Sequence, residues 1–241
     1  MRGDWLTSDE AATLLGVTAG RVNRLARSGE LAYRMAGRTR LIDPSSAQRL
    51  LATTRRRSGR PLAPQSAWAA LLSDLGTVDW SRLTKALGMS PKQRYNLKRL
   101  ITRSPAENWD RLAKARAVVH RVRVRPAYLD EILQWDGVVP SGVSATVRHG
   151  LDLIATEEAE AYVSDQTWRL LQEEFHLGSS PSGNLALRLP SVSEEILSVI
   201  LDREAMPVAV VAMDLLDSGD PRSRRTASQI INRLLETPPG D

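Results

Sequence analysis

Apolar residues in the first fifty positions recur at helical spacing and then switch to alternation. "DEAATLL" and "RVNRLA" place apolar side chains three and four apart on either side of Gly16, whereas "LAYRM" and "TRLI" alternate around Gly37. The pattern predicts a helix capped by Ser8 and stopped at Gly16, then a second helix running from a Thr18 cap to Gly29. A hairpin with Gly37 at its tip should follow, and then a third helix with Asp43 as cap and Pro44 in its first turn.

Ala12, Gly16 and Val22 have the separations of a helix-turn-helix, with Val22 and Leu25 expected to pack on Leu14 and Leu15. That register turns Gly20, Arg21, Asn23, Arg24 and Arg27 outward, a short basic face suited to a DNA groove. Arg34, Arg38 and Arg40 decorate the hairpin as a wing would.

Further along, "PQSAWAALLSDLG" predicts a helix with Trp68, Leu71 and Leu72 on one face. "DWSRLTKALG" and "SPKQRYNLKRLIT" predict a helix pair, ended by Gly88 and restarted at a Ser90 cap with Pro91 at N1. Thr84, Gly88 and Arg94 stand where the first unit has alanine, glycine and valine. Two readings stay open here: a degenerate second helix-turn-helix, or a basic bridge that packs Leu97 and Leu100 while Lys92, Arg94, Lys98 and Arg99 face water. "AVVHRVRV" (117–124), "TVRHGLDLIA", "EAYVS" and "LALRLP" read as strands, and "PAYLDEILQW" and "DQTWRLLQEEFHL" as helices. "MPVAVVAMDLLDSGDPRSRRTASQIINRLL" gives two closing helices. A small mixed sheet with helices on one face is expected.

Charge divides the chain. Residues 1–60 hold 12 basic against 5 acidic side chains and residues 61–125 hold 13 against 4, while residues 126–241 hold 8 against 19. A polyanion-binding half joined to an acidic half fits this asymmetry. The expected class is α+β, with four parts: a winged helix-turn-helix over 1–54, a basic linker over 55–64, a basic helical segment over 65–115, and an acidic domain over 116–241. Arg55, Arg56, Arg57 and Arg60 in "RRRSGRPLAP" are either a solvated linker or an arm in the minor groove. "SGRP" resembles the Gly-Arg-Pro core of an AT-hook, without its preceding arginine.

The absence of cysteine removes disulfides and thiolate metal sites, and His120, His149 and His176 show no ligand spacing. The longest apolar run, "AMPVAVVAM", is too short for a bilayer, so a cytoplasmic protein is expected. Asp152, Glu157, Glu158 and Glu160 lack a nearby lysine for nuclease chemistry, no phosphate-binding loop occurs, and Ser141, Ser144 and Ser164 read as caps and turns. Neither enzyme activity nor a cofactor or metal is expected.

"LTSDEAATLLGVTAGRVNRLARSGELAYRMAGRTRLIDPSSAQRLL" resembles the winged helix-turn-helix of the excisionase and MerR superfamily over about 45 residues. The resemblance implies that the Thr18 helix enters the major groove of double-stranded operator DNA and that the Arg38 wing lies along backbone or minor groove. "RSGRPLAPQSAWAALL", "PSGVSATVRHGLDL", "EAYVS" and "AVVAMDLLDSGDPRSRRTA" are similar to actinobacterial helix-turn-helix proteins akin to the AbiEi side of type IV toxin–antitoxin loci. That similarity implies autorepression and a nucleotidyltransferase-like toxin as partner, although the N-terminal domain is of excisionase form. An excisionase-like DNA-bending factor and a partner-neutralising interaction protein are the alternatives.

Overall fold

The computed structural model describes residues 5–54, 61–153, 157–218 and 220–236. The N-terminal unit runs β1 (Leu6–Thr7), α1 (Ser8–Leu15), α2 (Ala19–Arg27), β2 (Tyr33–Ala36), β3 (Thr39–Ile42) and α3 (Pro44–Thr54). Its sheet has the order β1-β3-β2, all antiparallel, because Leu6 pairs with Ile42 and adds a strand that alternation does not reveal. Ala11, Ala12, Val22, Leu25, Ala26, Leu31, Ile42 and Ala47 form its core. Leu14, expected inside, is 37% exposed, since two alanines already fill the face of α1 that meets α2.

The middle of the chain is helical: α4 (Pro64–Leu72), α5 (Trp80–Ala86), α6 (Pro91–Ile101) and α7 (Trp109–Leu112). Every residue from Ala67 to Leu72 is buried, so α4 is enclosed on all sides and does not present the single apolar face expected of it. Then follow β4 (Ala117–Val122), α8 (Leu129–Leu133), β5 (Val139–Pro140), β6 (Ala159–Tyr162), α9 (Asp165–Glu174), β7 (Leu185–Pro190), α10 (Glu194–Leu201), α11 (Val208–Asp217) and α12 (Pro221–Glu236). The strand expected from "TVRHGLDLIA" is absent among the described residues. Val147–His149 forms a 3-10 turn ended by Gly150 at φ 65°, a left-handed position that suits glycine and breaks an extended run. α10 has no counterpart among the elements expected from the sequence.

The second sheet has the order β4-β7-β6-β5, with β6 and β7 parallel and the outer pairs antiparallel. Helices cover both of its faces, not one. Ala159, Ala161, Leu185 and Leu187 point to α8 and α9, where Leu129, Ile132, Trp168 and Leu171 meet them. Tyr162 points to the opposite face and lies edge-on to Trp68 of α4, ring centroids 5.2 Å apart. The core on that face is continuous from α4 through α6 and α7 to α11 and α12, so packing runs across the expected boundary at residue 115.

Buried charge closes this face. Arg116 Nη2 donates to Asp214 Oδ1 (2.7 Å) and Asp217 Oδ2 (2.6 Å), and its Nε donates to Tyr162 Oη (3.0 Å). Arg188 Nε lies 2.8 Å from Asp214 Oδ1, and its Nη2 lies 3.4 Å from Glu160 Oε2. The Ser141 hydroxyl donates to Asp214 Oδ2, so Ser141 is a buried partner of this cluster as well as a turn residue. Gly142 is required beside it: φ is +49°, and a Cβ there would sit 1.9 Å from Glu160 Oε2. Burial opposes the charge on Arg116, but the Asp217 and Asp214 carboxylates together hold its pKa well above the ordinary arginine value. Burial, then Asp214, raises the Tyr162 phenol, so it stays protonated and donates to Asp214 Oδ1 (3.0 Å).

Among the described residues no helix is long and apolar enough to cross a membrane, and no group of acidic and histidine side chains could hold a metal ion.

Burial pushes the Glu160 carboxyl up to about 7, with Arg188 opposing and Asp214 reinforcing the rise. A carboxyl raised in the folded state favours folding below its unfolded value, and that contribution disappears as pH rises toward 7. Thermal unfolding of the parent and of Glu160→Gln across pH 4.5 to 7.5 checks this. The parent should lose stability relative to the variant as pH rises; parallel curves would show that Glu160 does not titrate on unfolding in this range.

Candidate nucleic-acid interface

The turn between α1 and α2 is fixed at each end by a cap. Thr7, not Ser8, is the N-cap of α1, and its hydroxyl accepts from Glu10 N (3.2 Å) while Glu10 Oε2 accepts from Thr7 N (2.7 Å). This reciprocal box moves the start one residue earlier than the Ser8 reading, because threonine and glutamate are three apart. Gly16 adopts φ 65° and Val17 N donates to Ala12 O (3.0 Å), closing the end of α1. The Thr18 hydroxyl then accepts from Arg21 N (3.3 Å) and starts α2. Val22, Leu25 and Ala26 face the core.

Gly20, Arg21, Arg24 and Arg27 are left exposed on one side of α2. Gly20 brings the backbone near the surface with nothing but the Thr18 hydroxyl close to its missing side chain, at 3.9 Å. Thr18 is exposed too, but its oxygen is occupied by the cap. Asn23, grouped with the arginines in the sequence, is half-buried and plays another part. Its Oδ1 accepts from Arg40 Nη1 of β3 at 2.5 Å and lies 3.4 Å from the Ser8 hydroxyl. The Arg40 guanidinium covers the Tyr33 ring, 4.7 Å from its centroid. Asn23 and Arg40 therefore clamp the hairpin to α2 and are not both open to a ligand. No periodicity identifies such a pair, since both side chains are polar and neither position breaks the pattern.

The hairpin turns in two residues, Gly37 and Arg38, between Ala36 and Thr39. Gly37 has φ 62°, as a tight hairpin turn needs, and Arg38 stands exposed beside it. Arg34 is also exposed and lies over the Trp5 ring at 4.5 Å. Stacking of this kind fixes a guanidinium plane while leaving its edge free for a phosphate. Trp5 and Tyr33, which orient Arg34 and Arg40, carry no signal when only the arginines of the hairpin are considered. Arg55, Arg56, Arg57 and Arg60 lie outside the described residues.

α3 carries this unit on the rest of the protein. Arg49 Nη2 donates to Pro181 O (2.8 Å), a hydrogen bond from α3 to the loop before β7. The exposed arginines of α2 and the hairpin all precede this anchoring helix in the chain.

The Asn23–Arg40 clamp generates a double-mutant test. Asn23→Ala and Arg40→Ala should each lower DNA affinity and thermal stability. The double variant should cost less than the two single losses added, because each removes the same hydrogen bond. Strict additivity would show that the two side chains act separately.

Residues 5–53 match the family described as a helix-turn-helix domain, a span that begins at Trp5 and covers the unit almost to the end of α3. No curated protein and no solved structure matches the chain. The N-terminal unit is thus a helix-turn-helix domain of a kind that fits DNA binding.

Proposed function

We propose that the protein is a sequence-specific DNA-binding transcriptional regulator whose α2 enters the major groove. The observation that carries the reading is the exposed row of Gly20, Arg21, Arg24 and Arg27 on the second helix of a helix-turn-helix. Arginine in that position can donate two hydrogen bonds to guanine O6 and N7. Arg38 at the hairpin tip and Arg34 over Trp5 act as the wing, contacting phosphate and so adding affinity without reading sequence. Thr18 contributes through the cap that fixes the start of α2, not through a free hydroxyl.

Binding without catalysis is the reading for the whole chain. Autorepression and the neutralising of a nucleotidyltransferase-like toxin rest on the sequence resemblance of "RSGRPLAPQSAWAALL" and the stretches of the acidic half, and belong to this proposal at that level. They call for co-purification with the product of a neighbouring gene.

Fluorescence anisotropy with the duplex directly upstream of the gene, against a scrambled duplex, tests the DNA assignment. Arg24→Ala should reduce the preference for the upstream duplex by about 1–3 kcal/mol, one base contact's worth. Arg38→Ala should weaken both duplexes alike and lower the slope of log K against log salt by about 1. Equal losses on both duplexes for both variants would refute the division of roles.

A further inference from the structure

The caps and the turn that join α1 to α2 occur a second time, in register at a constant distance along the chain. Thr7 caps α1 by accepting from Glu10 N at 3.2 Å, and Asp79 caps α5 by accepting from Arg82 N at 3.1 Å. Gly16 and Gly88 both have φ 65°. Val17 N donates to Ala12 O at 3.0 Å, and Met89 N donates to Thr84 O at the same distance. Thr18 and Ser90 then cap α2 and α6 by accepting from Arg21 N and Gln93 N, each at 3.3 Å. Single elements of this kind are common at helix ends. Four in succession at one constant offset reproduce the caps and the turn, although α5 and α6 pack on α4 and not closely on each other as α1 and α2 do.

The exposed positions repeat as well. Gly20, Arg21, Arg24 and Arg27 of α2 correspond to Lys92, Gln93, Asn96 and Arg99 of α6, all exposed, while buried Leu25 corresponds to buried Leu97. Tyr95 stands at the position of Asn23 but is 66% exposed, an aromatic ring among donors and cations with its face open to solvent. Leu97 and Ile101 anchor α6 in the large core, so this face is held by a rigid support. The sequence spacing of alanine, glycine and valine obscures the repeat because Thr84 replaces Ala12 and Arg94 replaces Val22. Thr84 is nonetheless fully buried, its hydroxyl satisfied by Trp80 O at 2.8 Å, which lets a polar residue fill the small-residue position.

We infer that α6, started by a second copy of this capped turn, contacts duplex DNA through its exposed face and adds a second site to the one on α2. Lys92 and Arg99 would engage phosphates, Asn96 carries the side-chain amide suited to an adenine edge, and Tyr95 offers a hydroxyl to phosphate or an apolar edge to a thymine methyl, while Gln93 Oε1 is held in the cap by Ser90 N at 2.8 Å. One helix in the groove reads a short stretch of base pairs; two on one chain lengthen the footprint without requiring a second protomer. This inference rests on the proposed DNA-binding function.

The test uses the full chain, the upstream duplex and hydroxyl-radical footprinting, together with anisotropy over a series of salt concentrations. Lys92→Ala/Arg99→Ala should shorten the protected region at one end and lower the salt slope by about 2, roughly 0.9 for each phosphate that is no longer neutralised. Asn96→Glu, which places a charge on the same exposed face, should weaken binding at low salt while leaving thermal unfolding unchanged, so a folding defect is separable from a weakened interface. An unchanged footprint and slope in the double variant, with Arg24→Ala still selective in its effect, would overturn the second site and leave the first standing. No binding by the parent chain to either duplex would overturn both.

Discussion

Asp214 on α11 is the point at which the larger part of the chain is tied together. Its carboxylate receives Arg116 from the end of the helical middle segment, Arg188 from β7, the Tyr162 phenol from β6 and the Ser141 hydroxyl from the turn after β5. Both arginines and the aspartate are within 3% of full burial. Removing one member of such a cluster leaves an uncompensated charge away from water, at a cost of about 3–5 kcal/mol. The same arrangement explains why the middle helices and the acidic sheet share one core. Trp68 of α4 sits edge-on to Tyr162 and donates its Nε1–H to Arg116 O at 2.9 Å, so the apolar contact and the charged one reinforce each other.

On that support the exposed helices are arranged by local rules. Caps at Thr7, Thr18, Asp79 and Ser90 and left-handed glycines at 16 and 88 fix the starts and turns of α1, α2, α5 and α6, and the exposed sides of α2 and α6 carry cations and amides. The charge asymmetry of the sequence acquires a structural meaning here. The basic half carries the exposed cationic faces, and the acidic half supplies three of the sheet's four strands and the carboxylates that bind Arg116.

Much of the N-terminal unit is legible in the sequence, since caps, glycine stops and a two-residue hairpin turn are decided by residues close together in the chain. Gly16, Thr18, Gly37 and Asp43 behave as their spacing implies. What is not legible depends on distant partners. Asn23 and Arg40 are 17 residues apart and look like two surface residues until the hairpin folds onto α2. Arg116 and Arg188 look like surface charge in the sequence, yet Asp214, which they share, lies on a helix whose sequence is mainly apolar. The burial of β6 and β7 on both faces is also invisible in "EAYVS" and "LALRLP", because a central strand mixes apolar and paired polar residues. "TVRHGLDLIA" misleads for the reverse reason: apolar alternation without a partner strand becomes a 3-10 turn around Gly150.

Sequence-specific regulation by this chain requires α2 to lie in the major groove. Dimethyl sulfate protection of guanine N7 in the bound upstream duplex measures that directly, because N7 is exposed only on the major-groove edge. Guanines in the bound site should be protected, with protection abolished at a single position in Arg24→Ala. Tight binding with every guanine N7 still reactive would place the protein on the backbone or minor groove and contradict the role given to α2.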